Sequence, residues 1–184
     1  ECVCQTGSWS PASDAIVQFN PPNEAFGASR HDDLGGVALT FNIATNGFTA
    51  VTKFNMKSTS VATYNRIFDF GGKISNDYTT PDYNIILMRN ANSQEIAFEM
   101  WNSQGVFTGA CTVTYAITYD QWHSVYARYL PSSGVYLTID DNPAEIDVSD
   151  ACKTQVDRTL STNYIAKSWF TGDAQSDVDV AGLY

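Results

Sequence analysis

The sequence predicts an all-β protein built as a two-sheet antiparallel sandwich. Three observations carry that expectation. Apolar and polar residues alternate at a period of two in short runs, each bounded by Gly, Pro, Asn, Asp or Ser. No apolar period of 3.6 persists over the roughly 10 residues an amphipathic helix needs. Ten Tyr and ten Phe supply the aromatic side chains that strands favour. Short strands at such spacing pack as two antiparallel sheets.

Residues 1–36 read as an N-terminal extension packed on the sandwich or linking to it. SWSPAS and FNPPNEAFGASRHDDLGG are dense in Pro, Gly, Asn and Asp, the chemistry of turns. The sandwich is expected over residues 37–184. In GFTAVTKFNM, Phe48, Ala50, Thr52, Phe54 and Met56 share one face. YNRIFDFGG, YNIILMRN, EIAFEMW, WHSVYARYL, GVYLTIDDNP and NYIAKS follow as further strands. NIILM is continuously apolar, as suits a strand covered on both faces. In GVYLTID, Val135, Leu137 and Ile139 face one way, and Tyr136 and Thr138 the other.

The 184 residues suit one domain, and 43% apolar with 16% charged residues is a globular composition. Twenty acids against ten bases leave a net charge of −10, which argues against nucleic acid as a partner, because neutralising phosphates needs clustered Lys and Arg. The acidity suits solubility and, more pointedly, attraction for Ca²⁺. No apolar run approaches the roughly 18 residues of a membrane span. No signal-peptide pattern opens the chain, so a mature chain, or one excised from something longer, is expected.

Cysteines stand at 2, 4, 111 and 152. Their spacing is not that of a zinc ribbon, and His31 and His123 are the only histidines. An even count in an acidic, loop-rich chain points to disulfides and an oxidising compartment. The favoured pairing is Cys111 with Cys152, which stabilises by about 4 kcal/mol in the chain-entropy argument. Cys2 and Cys4 are then left to each other, to another segment or to another chain; a one-residue gap makes their mutual bridge geometrically awkward.

RIFDFGG, PDYNIILMRN leading into EIAFEMWN, QWHSVYARY, VYLTIDDNP and NYIAKSWF occur in the order found in laminin G-like domains. The chain resembles that family over about residues 37–184, which implies the concanavalin A-like jelly-roll fold. Two positions depart from the family pattern: Asp141-Asn142 stands for the usual Asp-Gly turn, and Ala166 for a glycine. VDVAGLY resembles the closing strand, and a chain stopping within it suggests a piece of a larger polypeptide. ECVCQTGSW resembles the tail of an EGF-like module. The fold hosts lectins, adhesion modules and glycosidases alike, so it does not assign a function by itself.

The candidate chemistry begins with Glu95 and Glu99 in QEIAFEMW. Family 16 glycosidases share the sandwich and carry E-x-D-x-E on such a strand. Four residues along a strand span about 13 Å, yet side chains leaning together can approach the roughly 5 Å of a retaining pair. Here Ala97 stands where the aspartate would hold the neighbouring pKa values apart. Glu95 and Glu99 are therefore expected to lie on the polar face of an ordinary strand. The resemblance makes Trp122 a core anchor and His123 a structural residue at a strand start; no G-x-S-x-G elbow offers His123 a nucleophile. It also aligns Asp82 with the aspartate of calcium-binding relatives, whose other ligands are mostly backbone carbonyls. Those carbonyls would come from the loops after Glu99 to Trp101 and near Leu160 to Asn163. Asp173, Asp177 and Asp179 lack EF-hand spacing and read as a solvated loop. Trp101, Trp169, Tyr78 and Tyr83 are candidate stacking platforms for sugar.

The expected function is a non-catalytic extracellular module of a cell-surface, matrix or filament-forming protein. It would act in adhesion or assembly by binding a protein, a glycan or neighbouring copies, including through its sheet edges. A calcium-dependent lectin centred on Asp82, and a glycosidase using Glu95 and Glu99, are the alternatives.

Overall fold

A computed structural model gives the structure, which describes residues 3–5, 16–18, 32–33, 39–58, 64–71, 83–91, 93–101, 110–160, 162–166 and 178–183. In chain order the elements are β1 (Val3–Gln5), β2 (Ile16–Gln18), β3 (Asp32–Asp33), β4 (Leu39–Phe41), α1 (Ile43–Asn46), β5 (Phe48–Met56), β6 (Arg66–Gly71) and β7 (Ile85–Arg89). There follow β8 (Glu95–Trp101), β9 (Ala110–Ala116), β10 (Trp122–Leu130), β11 (Gly134–Ile139), β12 (Glu145–Asp147), α2 (Asp150–Lys153), β13 (Arg158–Leu160), β14 (Thr162–Ile165) and β15 (Val178–Leu183).

Two antiparallel sheets pack face to face as a jelly-roll sandwich. One runs β12-β11-β10-β5-β15 and the other β3-β14-β6-β7-β8-β9, with the hairpins β1-β2 and β13-β4 beside them. The core lies between them. Phe54, Met56, Val125, Ala127, Tyr129, Leu137 and Ile139 come from the five-stranded sheet, and Phe68, Ile85, Leu87, Ile96, Phe98 and Met100 from the six-stranded one. The alternation expected for GFTAVTKFNM and GVYLTID is present: Thr49 and Lys53 are exposed between buried neighbours, and Val135, Leu137 and Ile139 are buried. All five residues of β7 are buried, in keeping with cover on both faces.

Three features depart from expectation. ACTVTYA forms β9, a strand beyond those expected from the sequence; its buried Cys111 and Val113 alternate with half-buried Thr112 and Thr114. Among the described residues two single-turn helices occur, each four residues long, too short to impose a 3.6-residue period. Asp32–Asp33, within the expected extension, pairs with Tyr164 and Ile165 at one edge of the six-stranded sheet.

Cys111 on β9 and Cys152 on α2 form a disulfide, with Cα atoms 4.9 Å apart across 41 residues. It ties the edge of one sheet to the segment that follows the other. Asp147 lies close to both sulfurs, but each sulfur is bonded to the other and neither is a thiolate ligand. The backbone of Cys4 belongs to β1, while Cys2 lies outside the described residues.

At Ala166, where the family pattern has glycine, φ is +53°, so the replacement occupies a left-handed position. Around Asp141-Asn142 the positive φ values fall on Asp140 (52°) and Asp141 (59°). The turn is closed by Asn142 N–H donating to Ile139 O at 3.0 Å, so the left-handed pair sits one residue earlier than the family alignment implies.

Candidate functional site

The face of the six-stranded sheet turned away from the core carries a buried polar network. A register shift between Arg66 and Phe68 in β6 places one extra residue, Ile67, in that strand. The bulge brings Arg66 and Asp69, three apart, onto the same face. Arg66 Nε donates to Asp69 Oδ2 at 3.2 Å, and Asn84 Nδ2 donates to Asp69 Oδ1 at 2.8 Å. Along one cross-strand row Tyr164, Asp69, Ile86, Glu99 and Thr112 stand side by side.

Glu95 and Glu99 belong to this face, but it is not the solvated strand face expected. Ala97 and Trp101, between and beside them, are buried and join Ile86 and Met88 in a second apolar cluster. Trp101 is therefore no exposed platform; its Nε1 donates to Glu99 Oε2 at 3.2 Å. Burial holds the Glu99 carboxyl above its ordinary range, against the opposing charge of Arg66 and the hydrogen bond from Trp101. Glu95 sits in a different network, accepting from Asn90 Nδ2 at 3.0 Å and Ser93 Oγ at 3.4 Å. Separate partners hold the two carboxylates, Asn90 and Ser93 at Glu95 and Trp101 at Glu99.

His123 is a buried bridge. Its Nδ1 lies 2.5 Å from Asp140 Oδ2 and its Nε2 lies 2.7 Å from Thr118 O. It lines a shallow, open depression with Tyr115, Gln121 and Asn142. Both ring nitrogens are thus engaged by oxygen atoms of neighbouring residues, which fixes the orientation of the ring.

Arg158 on β13 closes the rim of the sandwich. Its guanidinium is buried, and Nη1 donates to Tyr83 O at 2.9 Å and to Trp101 O at 3.1 Å. Nη2 donates to Gln155 Oε1 at 2.8 Å and Nε to Val156 O at 3.1 Å. Burial pushes its pKa down to about 10, which leaves it charged at neutral pH. Tyr83, a suggested platform, instead packs half-buried against the core and under this guanidinium, 5.8 Å from ring centroid to Cζ. Asp82, Tyr78, Trp169, Asp173 and Asp177 lie outside the described residues. Asp179 is paired with Lys57 at 2.5 Å.

An exposed aromatic surface lies on the other sheet. Strand β10 alternates without interruption: His123, Val125, Ala127 and Tyr129 are buried, while Trp122, Tyr126 and Arg128 are exposed. Trp122 is thus no core anchor, because a period of two puts it on the face opposite Val125. Trp122 is 45% and Tyr126 44% exposed. Register places Tyr136 of β11 beside Arg128, Val51 beside Tyr126, and Lys53 of β5 beside Ser124. Ile146 of β12, 52% exposed, extends the row past Tyr136. Among the described residues no carboxylate lies within ion-pair distance of Lys53 or Arg128. The signal for this surface was present in QWHSVYARY, whose outward positions read Trp, Ser, Tyr and Arg.

No family model matches the chain, and no curated protein matches it by sequence. Solved structures match its fold. The CBM40 of the Ruminococcus gnavus IT-sialidase, bound to α2,3-sialyllactose, gives a TM-score of 0.59 at 10% identity, covering 91% of this chain and 89% of that one. Mouse laminin alpha1 chain domains LG4-5 give 0.50 at 16% identity, and the leech intramolecular trans-sialidase 0.57 at 13%, each over 91% of this chain. The chain spans only 40% of that laminin chain and 25% of the leech enzyme. These likenesses show the fold: the chain has the jelly-roll sandwich fold shared by laminin G-like and concanavalin A-like domains. Among the described residues no helix is long and apolar enough to cross a membrane.

Proposed function

We propose that this chain is a non-catalytic extracellular binding module that holds an anionic saccharide on the outer face of its five-stranded sheet. The carrying observation is the exposed row of Trp122, Tyr126 and half-buried Tyr136, flanked by Lys53 and Arg128. Large aromatic side chains left in solvent on a flat sheet cost burial that the core could have used. They suit the apolar faces of sugar rings, and Trp122 and Tyr126, four residues apart, span about 13 Å along the strand.

The two cations select the charge of the ligand. In a chain with twenty acids and ten bases, Lys53 and Arg128 stand without a described carboxylate partner, whereas Lys57 and Arg66 have one. A carboxylate or sulfate on the saccharide would supply it. The R. gnavus CBM40 was solved with sialyllactose bound, which supports a glycan ligand for a sandwich of this shape without locating its site here. The Cys111–Cys152 disulfide supports an oxidising, extracellular setting. Adhesion within a cell-surface, matrix or filament-forming protein follows from that reading.

The test is a glycan array bearing neutral, carboxylated and sulfated oligosaccharides, probed with the wild type, Trp122→Ala and the double variant Lys53→Gln/Arg128→Gln. Retention on acidic glycans is expected for the wild type, falling roughly tenfold in Trp122→Ala. In the cation variant binding weakens and loses its dependence on ionic strength. Binding that is indifferent to all three residues would sink the proposal. So would failure to bind any glycan together with self-association of the protein through this face, which favours assembly instead.

A further inference from the structure

We infer that the Arg158 guanidinium is the fixed cation that organises the described part of the sandwich rim, in the role a divalent metal would otherwise play. The inference is independent of what the five-stranded sheet binds. Its basis is the donor set. Arg158 is 6% exposed and bonds to four oxygens, those of Tyr83, Trp101 and Val156 and the side-chain oxygen of Gln155. All four are neutral, and among the described residues no carboxylate lies within ion-pair distance of the guanidinium. A buried cation held by convergent neutral oxygens is the arrangement by which carbonyls hold a hard metal ion. Here the positive charge is covalently part of the chain.

The positions of those oxygens make the substitution specific. Tyr83 follows Asp82 in sequence and Trp101 ends β8, so the guanidinium binds carbonyls next to two of the places from which the laminin G-like resemblance would draw calcium ligands. At the third, Leu160 O accepts from Asn163 Nδ2 at 3.1 Å. Carbonyls already aimed at N–H donors make poor metal ligands, and a fixed guanidinium repels a divalent ion brought beside it. The described donors therefore do not fit Ca²⁺. They fit Arg158, which draws the starts of β7 and β13 and the end of β8 together.

Thermal unfolding of the whole chain in CaCl₂ and in EDTA tests this. The wild-type Tm is expected to be the same in both within about 1 °C. A rise of several degrees in CaCl₂ that Asp82→Asn abolishes would overturn the inference; a rise that Asp82→Asn leaves intact places the ion elsewhere and supports it. Arg158→Lys and Arg158→Gln separate charge from shape. Lys keeps the cation but not the fork, so Tm is expected to fall by about 5 °C, against roughly 10 °C or more for Gln. Equal losses would overturn the role as a cation. Should either variant fail to fold, the wild-type comparison of calcium with chelator still decides.

Discussion

Trp122 and His123 are consecutive in the chain and belong to opposite sides of one sheet. Trp122 is 45% exposed; His123 is 6% exposed and bridges Asp140 and Thr118. Their substitutions should therefore separate binding from stability. Trp122→Ala is expected to change stability by under about 1 kcal/mol, while His123→Ala, which removes a buried ring packed on Phe54 together with its bonds to Asp140 and Thr118, costs about 2–3 kcal/mol. Urea unfolding of both variants measures this. A large stability loss in Trp122→Ala would show that the indole is packing rather than presented.

Glu99 predicts a pH dependence. Its ordinary value is 4.5, and burial raises it in the fold, so the folded chain holds the proton more tightly than the unfolded one. Below 4.5 both states carry the proton and no penalty exists. As pH rises through the folded value the carboxylate must charge while half-buried, and stability falls to a lower plateau. Glu99→Gln mimics the neutral form. Its stability relative to the wild type should grow across that window and be constant above it. A difference that is flat with pH, read from chemical unfolding at several pH values, would contradict this.

The Cys111–Cys152 bridge closes a separation of 41 residues. In the chain-entropy argument its loss costs about 4 kcal/mol. Cys111→Ser with Cys152→Ser, or thiol reduction of the wild type, should lower the urea midpoint to the same extent. An unchanged midpoint after verified reduction would mean that β9 and α2 are held by packing alone.

Gly134 sits where β10 turns into β11 with φ at +126°, and a Cβ there would collide with Asp147 O across the β11–β12 pair. Gly134→Ala meets both strain and clash, and should cost more than about 2 kcal/mol. A neutral result in thermal unfolding would require the β12 edge to move aside freely.

The chain's own order of residues was enough for the two-sheet class, for most strands, and for the inward faces of GFTAVTKFNM and GVYLTID. Alternation is a local property: side chains two apart share a face whatever the rest of the molecule does. The Cys111–Cys152 pairing was also legible, because so few partners were available. Which face a neighbour covers is not local. Trp122 and Trp101 show this in opposite directions, one expected inside and found 45% exposed, the other offered as a platform and found 8% exposed.

Arg66 and Asp69 meet only because β6 takes one extra residue against β7. A register shift is set by the partner strand and leaves no mark in RIFDFG itself. Arg158 meets Tyr83 and Trp101 across separations of 75 and 57 residues. Sequence by itself determined which residues alternate and therefore what kind of sheet they build. Tertiary structure decided which of those faces meets water and which cation stands at the rim, because burial and convergence depend on segments distant in the chain being brought into contact.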